Sequence, residues 1–128
     1  MRSMARALWI LLALLALTGC SHPHPNVAVH GSGPGFSSHN RLEEHFHKHG
    51  DEFGKVDEAT YLALAQTLRD APVGGDILES KRSDGVTTRF DRSTGAFIAF
   101  NRDGTIRTFF KPNDGETYFR RQLNRPHD

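Results

Sequence analysis

Apolar positions in the body of the chain follow two rhythms, and the change between them divides the domain. Leu42, His45, Phe46 and His49 recur at i, i+3, i+4 and i+7, which is the spacing of one helical face. Gly50 then stands where a helix C-cap is expected. A second helix opens at Asp57, an N-cap residue, and Glu58 in its first turn complements the helix dipole. Tyr61, Leu64, Ala65 and Leu68 form its buried stripe, and Ala71-Pro72 with Gly74-Gly75 ends it.

From Ile77 onward the rhythm shortens to alternation. Strands are predicted over Ile77 to Arg82, Val86 to Phe90, Ala96 to Phe100 and Ile106 to Phe110. Each connection between them carries Asp or Asn and ends in Gly, which supplies the positive φ of a hairpin loop. The expected fold is α+β, with two N-terminal helices packed on one face of a four-stranded antiparallel meander and the other face left open. Strict alternation places Ile106, Thr108 and Phe110 on one face of the last strand and Arg107 and Phe109 on the other. Glu116 to Leu123 reads as a last helical turn or a short strand, with Tyr118 and Phe119 turned inward.

The chain's start carries an address rather than a fold. Arg2 and Arg6 precede Ala7 to Leu17, an apolar run of about eleven residues, too short to span a bilayer and of signal-peptide length. Leu17-Thr18-Gly19-Cys20 resembles a bacterial lipoprotein lipobox, which implies cleavage before Cys20 and lipidation there. Ser21 in place of Asp implies sorting to the outer membrane of the envelope. An ordinary signal peptide would leave Cys20, the single cysteine, unpaired in an oxidising compartment. The organisation read from composition is a signal peptide over 1–19, a His/Pro/Gly/Ser tether over 20–40, one folded domain over 41–123 and a tail over 124–128.

Charge adds an asymmetry. Lys and Arg number 16 against 15 Asp and Glu, and removal of Arg2 and Arg6 leaves the exported chain nearly neutral. Acidic residues dominate from Asn40 to Asp76, and basic residues dominate from Ile77 to Arg125. A basic sheet suits a polyanion, and a solvated face of mixed charge accounts for the same counts.

The candidate chemistry concentrates at the end of the first helix, in Glu44-His45-Phe46-His47-Lys48-His49-Gly50-Asp51-Glu52-Phe53-Gly54. Imidazole is the side chain whose unperturbed pKa lies nearest neutrality, so Lys48 beside His49 suits proton transfer at an anion such as phosphate. The segment Lys48-His49-Gly50-Asp51-Glu52-Phe53-Gly54 resembles the Lys-His-x-x-Asp-Phe-Gly segment of the colicin D ribonuclease domain. The similarity runs on to Asp103-Gly104-Thr105-Ile106-Arg107-Thr108-Phe109-Phe110-Lys111, where Thr108 stands for that family's catalytic Ser and Phe110 for its Trp. It spans about Arg41 to Tyr118. Phe46 replaces a second lysine of the family pattern, a departure that bears on substrate choice.

What the resemblance implies is a metal-independent endoribonuclease of the barnase, EndoU, colicin and RelE-like group, without cofactor. Its products would be a 2′,3′-cyclic phosphate and a 5′-hydroxyl. His49 would be the acid/base, Lys48 would steady the phosphate and Thr108 would hydrogen-bond a phosphoryl oxygen. Phe110 would stack on a base, with Arg107 or Lys111 adding charge. RNA, with tRNA as one target, and a cognate immunity protein are the implied partners, and the implied role is an antibacterial toxin. Two readings of other classes stand beside it. His22, His24, His30, His39, His45, His47 and His49 are seven of the eight histidines, a density that suits an envelope lipoprotein binding Zn, Cu or Ni. They lack a closed ligand spacing, since His45 and His49 share a helical face with no third ligand in the pattern. The third reading is a non-catalytic protein-binding module on the same fold.

Overall fold

The computed structural model describes residues 32–125. The signal peptide over 1–19, Cys20 with its lipidation, the first part of the tether and residues 126–128 lie outside the described residues.

Three helices and four strands form an α+β domain. Helix α1 spans His39–His49, a 3-10 turn spans Gly50–Phe53, and α2 spans Glu58–Asp70. Strands β1 (Ile77–Lys81), β2 (Thr87–Asp91), β3 (Ala96–Phe100) and β4 (Ile106–Phe110) follow, then α3 (Glu116–Leu123). The strands pair in sequence order as an antiparallel meander. Ser38 caps α1 by accepting from the Arg41 amide at 3.2 Å, and Asp57 caps α2 by accepting from the Thr60 amide at 2.7 Å. Both supply acceptors to amides that have no partner within the helix.

Two cores flank the sheet. On one face Leu42, Tyr61, Ala65 and Leu68 of the helices pack with Ala96, Ile98, Ile106 and Phe109. At its centre Tyr61 is wholly buried and its hydroxyl donates to the Phe109 carbonyl. On the other face Val86, Phe90, Phe97 and Ala99 meet Phe119 of α3. The expected open face is therefore closed in part. Helix α3 is only eight residues long with Phe119 as its buried residue, so its period extends over little more than two turns.

The order of the domain also begins earlier than Arg41. Phe36 forms a parallel bridge with Ile106, and the Ile106 amide donates to the Gly35 carbonyl at 2.9 Å. Buried Arg69 donates to the carbonyls of Ser32, Pro34 and Gly104, and Gln66 donates to those of Gly33 and Pro34. Residues 32–40 thus belong to the fold, held by backbone carbonyls that a compositional reading does not weigh.

The strand register corrects one expectation about the faces of β4. Ile98 opposes Phe109 and Ala99 opposes Thr108, but Phe100 opposes Ile106, leaving Arg107 as the extra residue of a β-bulge. Across the bulge the alternation resets. Ile106 and Phe109 face α1 and α2, while Thr108 and Phe110 share the opposite face with Ala99 and Phe97.

Candidate active site

Gly50 and Phe46 set the direction in which α1 ends. Gly50 keeps helical backbone angles, φ −55° and ψ −42°, so it is not a left-handed cap. Its role is space: a Cβ there would lie 2.7 Å from two carbons of the Phe46 ring. The chain tightens into the 3-10 turn under that ring and leaves it through Gly54 at φ 87°. In such a turn residues three apart eclipse, which sets Glu52 beside His49.

The Glu52 carboxylate is the hinge of the site. One oxygen lies 2.8 Å from His49 Nδ1, and the other accepts from the Lys111 amide at 2.6 Å. Glu52 thereby ties the end of α1 to the end of β4 across a sequence separation of 59 residues. An ionised carboxylate only accepts, so Nδ1 is the donor and carries the proton. The imidazole is oriented with Nε2 left for exchange with a bound molecule. The His49 side chain retains 15% of its accessible surface, enough for contact with solvent and little enough to hold one orientation.

Phe110 completes this junction. Its ring centroid is 5.1 Å from that of His49, 5.2 Å from Tyr118 of α3 and 5.5 Å from Phe97 of β3. The edge-on contact with Tyr118 and the tilted one with Phe97 are favourable aromatic geometries that fix the Phe110 ring. The imidazole therefore rests on a wall built from α3 and the sheet face opposite α2.

The remaining sequence candidates occupy different places. Lys48 is exposed on α1 beside His49. Thr108 is half-buried on the same face of β4 as Phe110, in a cross-strand row with Ala99, Thr88 and Ser80. Among the described residues the His49 side chain hydrogen-bonds to Glu52 and not to Thr108. Lys111 enters the site through its backbone amide, while its ammonium lies 5.1 Å over the Phe53 ring. Arg107 is exposed at the bulge and donates to Asn101 Oδ1 at 3.4 Å.

His45 stands one helical turn before His49. Its ring centroid lies 6.2 Å from that of His49 and 4.9 Å from Phe36, in near-parallel planes. Burial holds its pKa below the usual histidine value, and the neighbouring charges of His49, Arg41 and Lys48 act the same way against the opposing pull of Glu44. His47 points to Glu43 at 3.6 Å on the exposed side of α1.

Much of the basic excess of the second half is structural. Arg89 donates to the Leu68, Arg69 and Ala71 carbonyls at the end of α2 and pairs with Glu79 at 2.7 Å. A guanidinium there meets the negative end of the helix dipole. Arg92 and Arg120 both bind Glu116, and Arg121 binds Asp114. Among the described residues no three His, Cys, Asp or Glu side chains are grouped to hold a metal ion, and no helix is long and apolar enough to cross a membrane.

Glu52 is the functional candidate that the sequence pattern did not single out. Its signal was the i, i+3 relation to His49, which becomes meaningful only when the turn after Gly50 is a 3-10 turn.

No protein-family model matches the chain, and no curated protein matches it. Among solved structures the chain is similar to a ribonuclease from Escherichia coli in complex with its inhibitor protein. The TM-score is 0.40 and the identity 19%, covering 62% of this chain and 95% of that chain.

Proposed function

We propose that the domain is a metal-independent endoribonuclease, with His49 as the group that moves the proton. The observation that carries this reading is the His49, Glu52 and Lys111 junction. The two segments that resemble the colicin D ribonuclease domain meet at hydrogen-bond distance, with the imidazole seated on Phe110.

The reaction follows from that arrangement. Nε2 of neutral His49 takes the proton of a ribose 2′-hydroxyl, and Glu52 stabilises the imidazolium that forms. The 2′-oxygen forms a new bond to phosphorus while the bond from phosphorus to the 5′-oxygen breaks. In-line displacement leaves that oxygen on the far side, where it takes a proton from water, and His49 returns its own proton to water. The products are a 2′,3′-cyclic phosphate and a 5′-hydroxyl. Lys48 supplies positive charge for the phosphoryl oxygens and Thr108 a hydroxyl donor. A base approaching His49 meets the exposed part of the Phe110 ring.

The biological setting forms part of the proposal. Export through the N-terminal segment and a lipid at Cys20 put the domain in the envelope, where a nuclease acts as a toxin on RNA of another cell, with tRNA a candidate substrate. An immunity protein would then protect kin. The purified full chain should convert total RNA and tRNA to fragments ending in 2′,3′-cyclic phosphate, equally well with EDTA. Fragments ending in 3′-hydroxyl and 5′-phosphate, or activity abolished by EDTA, would contradict the mechanism.

A further inference from the structure

A polar cavity of about 350 Å³ opens between the first half of α1, the segment that leads into it and the start of β4. Its walls include Arg41, His45 and Arg107, with Ser37, Asn101 and Thr105 between them, and none of its lining residues is acidic. A second cavity of about 290 Å³, under α2, is lined mainly by Phe53, Leu64, Leu68, Ile77, Ala96 and Phe109, and its one cation, Lys111, is matched by the carboxylate of Asp91.

Three features mark the polar cavity as a place for an anion. Its two guanidinium groups come from separate elements, α1 and the bulge of β4, so they flank the space rather than share one surface. Neither is committed to a buried partner: among the described residues the Arg107 side chain makes only its 3.4 Å bond to Asn101, and Arg41 pairs with Glu44 at 3.0 Å between two exposed side chains that water screens. His45 forms the wall shared with the proposed catalytic site, and its buried Nδ1 makes no hydrogen bond to the described residues. A guanidinium fork matches the oxygens of a phosphate, and the bulge is what turns Arg107 out of the ladder to present one.

We infer, resting on the ribonuclease reading, that this cavity is a second phosphate subsite, which binds the phosphodiester next to the scissile one along a single RNA strand. Arg107 and Arg41 are its cationic ligands, and Asn101 and Thr105 its neutral donors. The 6.2 Å between the His45 and His49 rings is of the order of one nucleotide step, so one strand passes from cavity to imidazole without looping. The subsite contributes affinity and register rather than chemistry. Around His45 the cations Arg41, Lys48 and Arg107, with the His49 ring beside them, outnumber Glu44, and a phosphate among them favours the charged imidazole, so His45 titrates at higher pH when the cavity is filled.

The test is binding of a single-stranded 2′-O-methyl RNA oligonucleotide, which lacks the attacking hydroxyl, to the full chain by fluorescence anisotropy over a range of salt. Arg107→Gln and Arg41→Gln replace exposed side chains and leave the cores untouched. Each should weaken binding and lower the slope of log K against log salt by about 0.7. NMR titration of His45 should move upward in pH with the oligonucleotide present. Unchanged affinity and slope in both variants, or a His45 titration indifferent to the oligonucleotide, overturns the subsite. Cleavage of unmodified RNA is read separately. Cleavage by wild type and both variants with equal KM removes the subsite and keeps the nuclease, whereas Arg107-dependent binding without cleavage keeps the subsite and removes the nuclease.

Discussion

Glu52 does two jobs with one carboxylate, holding the His49 tautomer and anchoring the Lys111 amide at the end of β4. Its replacement separates positioning from stability. Glu52→Gln keeps one acceptor and one polar contact, so the fold should persist while the imidazolium loses its counter-charge. We expect kcat to fall by about tenfold or more, with less effect on KM and a shifted pH profile. A uniform loss of stability with an unchanged pH profile would assign Glu52 to structure alone. The residue could not be chosen from sequence because the segment also offers Glu44 and Asp51. Only the 3-10 geometry after Gly50 selects Glu52 from among them.

At the scale of elements, the junction of α1 with the 3-10 turn depends on Gly50. Its backbone angles suit any residue, so alanine there fails by overlap with Phe46 and not by backbone strain. Gly50→Ala should cost about 1–3 kcal/mol in denaturant unfolding and displace the turn that carries Glu52. An unchanged midpoint would show that Phe46 yields freely. The same elements show where legibility stopped. Helices α1 and α2 and all four strands were readable because period and loop glycines agreed along each stretch. The bulge at Arg107 was not, since one unpaired residue leaves no mark on the composition of Ile106 to Phe110 yet reverses which side chains share a face. Helix α3 was half-readable: Phe119 was expected inside, but a short helix with one buried residue does not announce which sheet face it covers.

For the whole molecule, three layers converge on one corner where α1, β4 and α3 meet around Phe110. The attachment of α3 rests partly on charge. Glu116 accepts from Arg92, at the β2–β3 turn, and from Arg120, and these bonds pull its carboxyl from 4.5 down to about 2. A carboxyl depressed in the folded state stabilises the fold fully above its unfolded pKa, and that contribution is lost as pH falls from about 4.5 towards about 2. The gap in thermal midpoint between wild type and Glu116→Gln should therefore be widest near neutrality and close over that window. A gap constant with pH would mean that the charge of Glu116 does not hold α3. The charge asymmetry seen along the sequence takes its meaning here as well. Arg69, Arg89, Arg92, Arg120 and Arg121 are engaged in the fold, so the cations that can meet a polyanion are fewer than the count suggests; Arg41 and Arg107 line the polar cavity with His45, and Lys48 is among the charges around that residue.

The role proposed for His49 is proton transfer in RNA cleavage. Its most direct measurement is the single-turnover cleavage rate of a defined single-stranded RNA by the full chain, compared between wild type, His49→Ala and His47→Ala. His49→Ala should lower the rate by about 10²–10⁴-fold while His47→Ala, on the exposed side of α1, leaves it unchanged. Equal rates for wild type and His49→Ala would remove His49 from the chemistry.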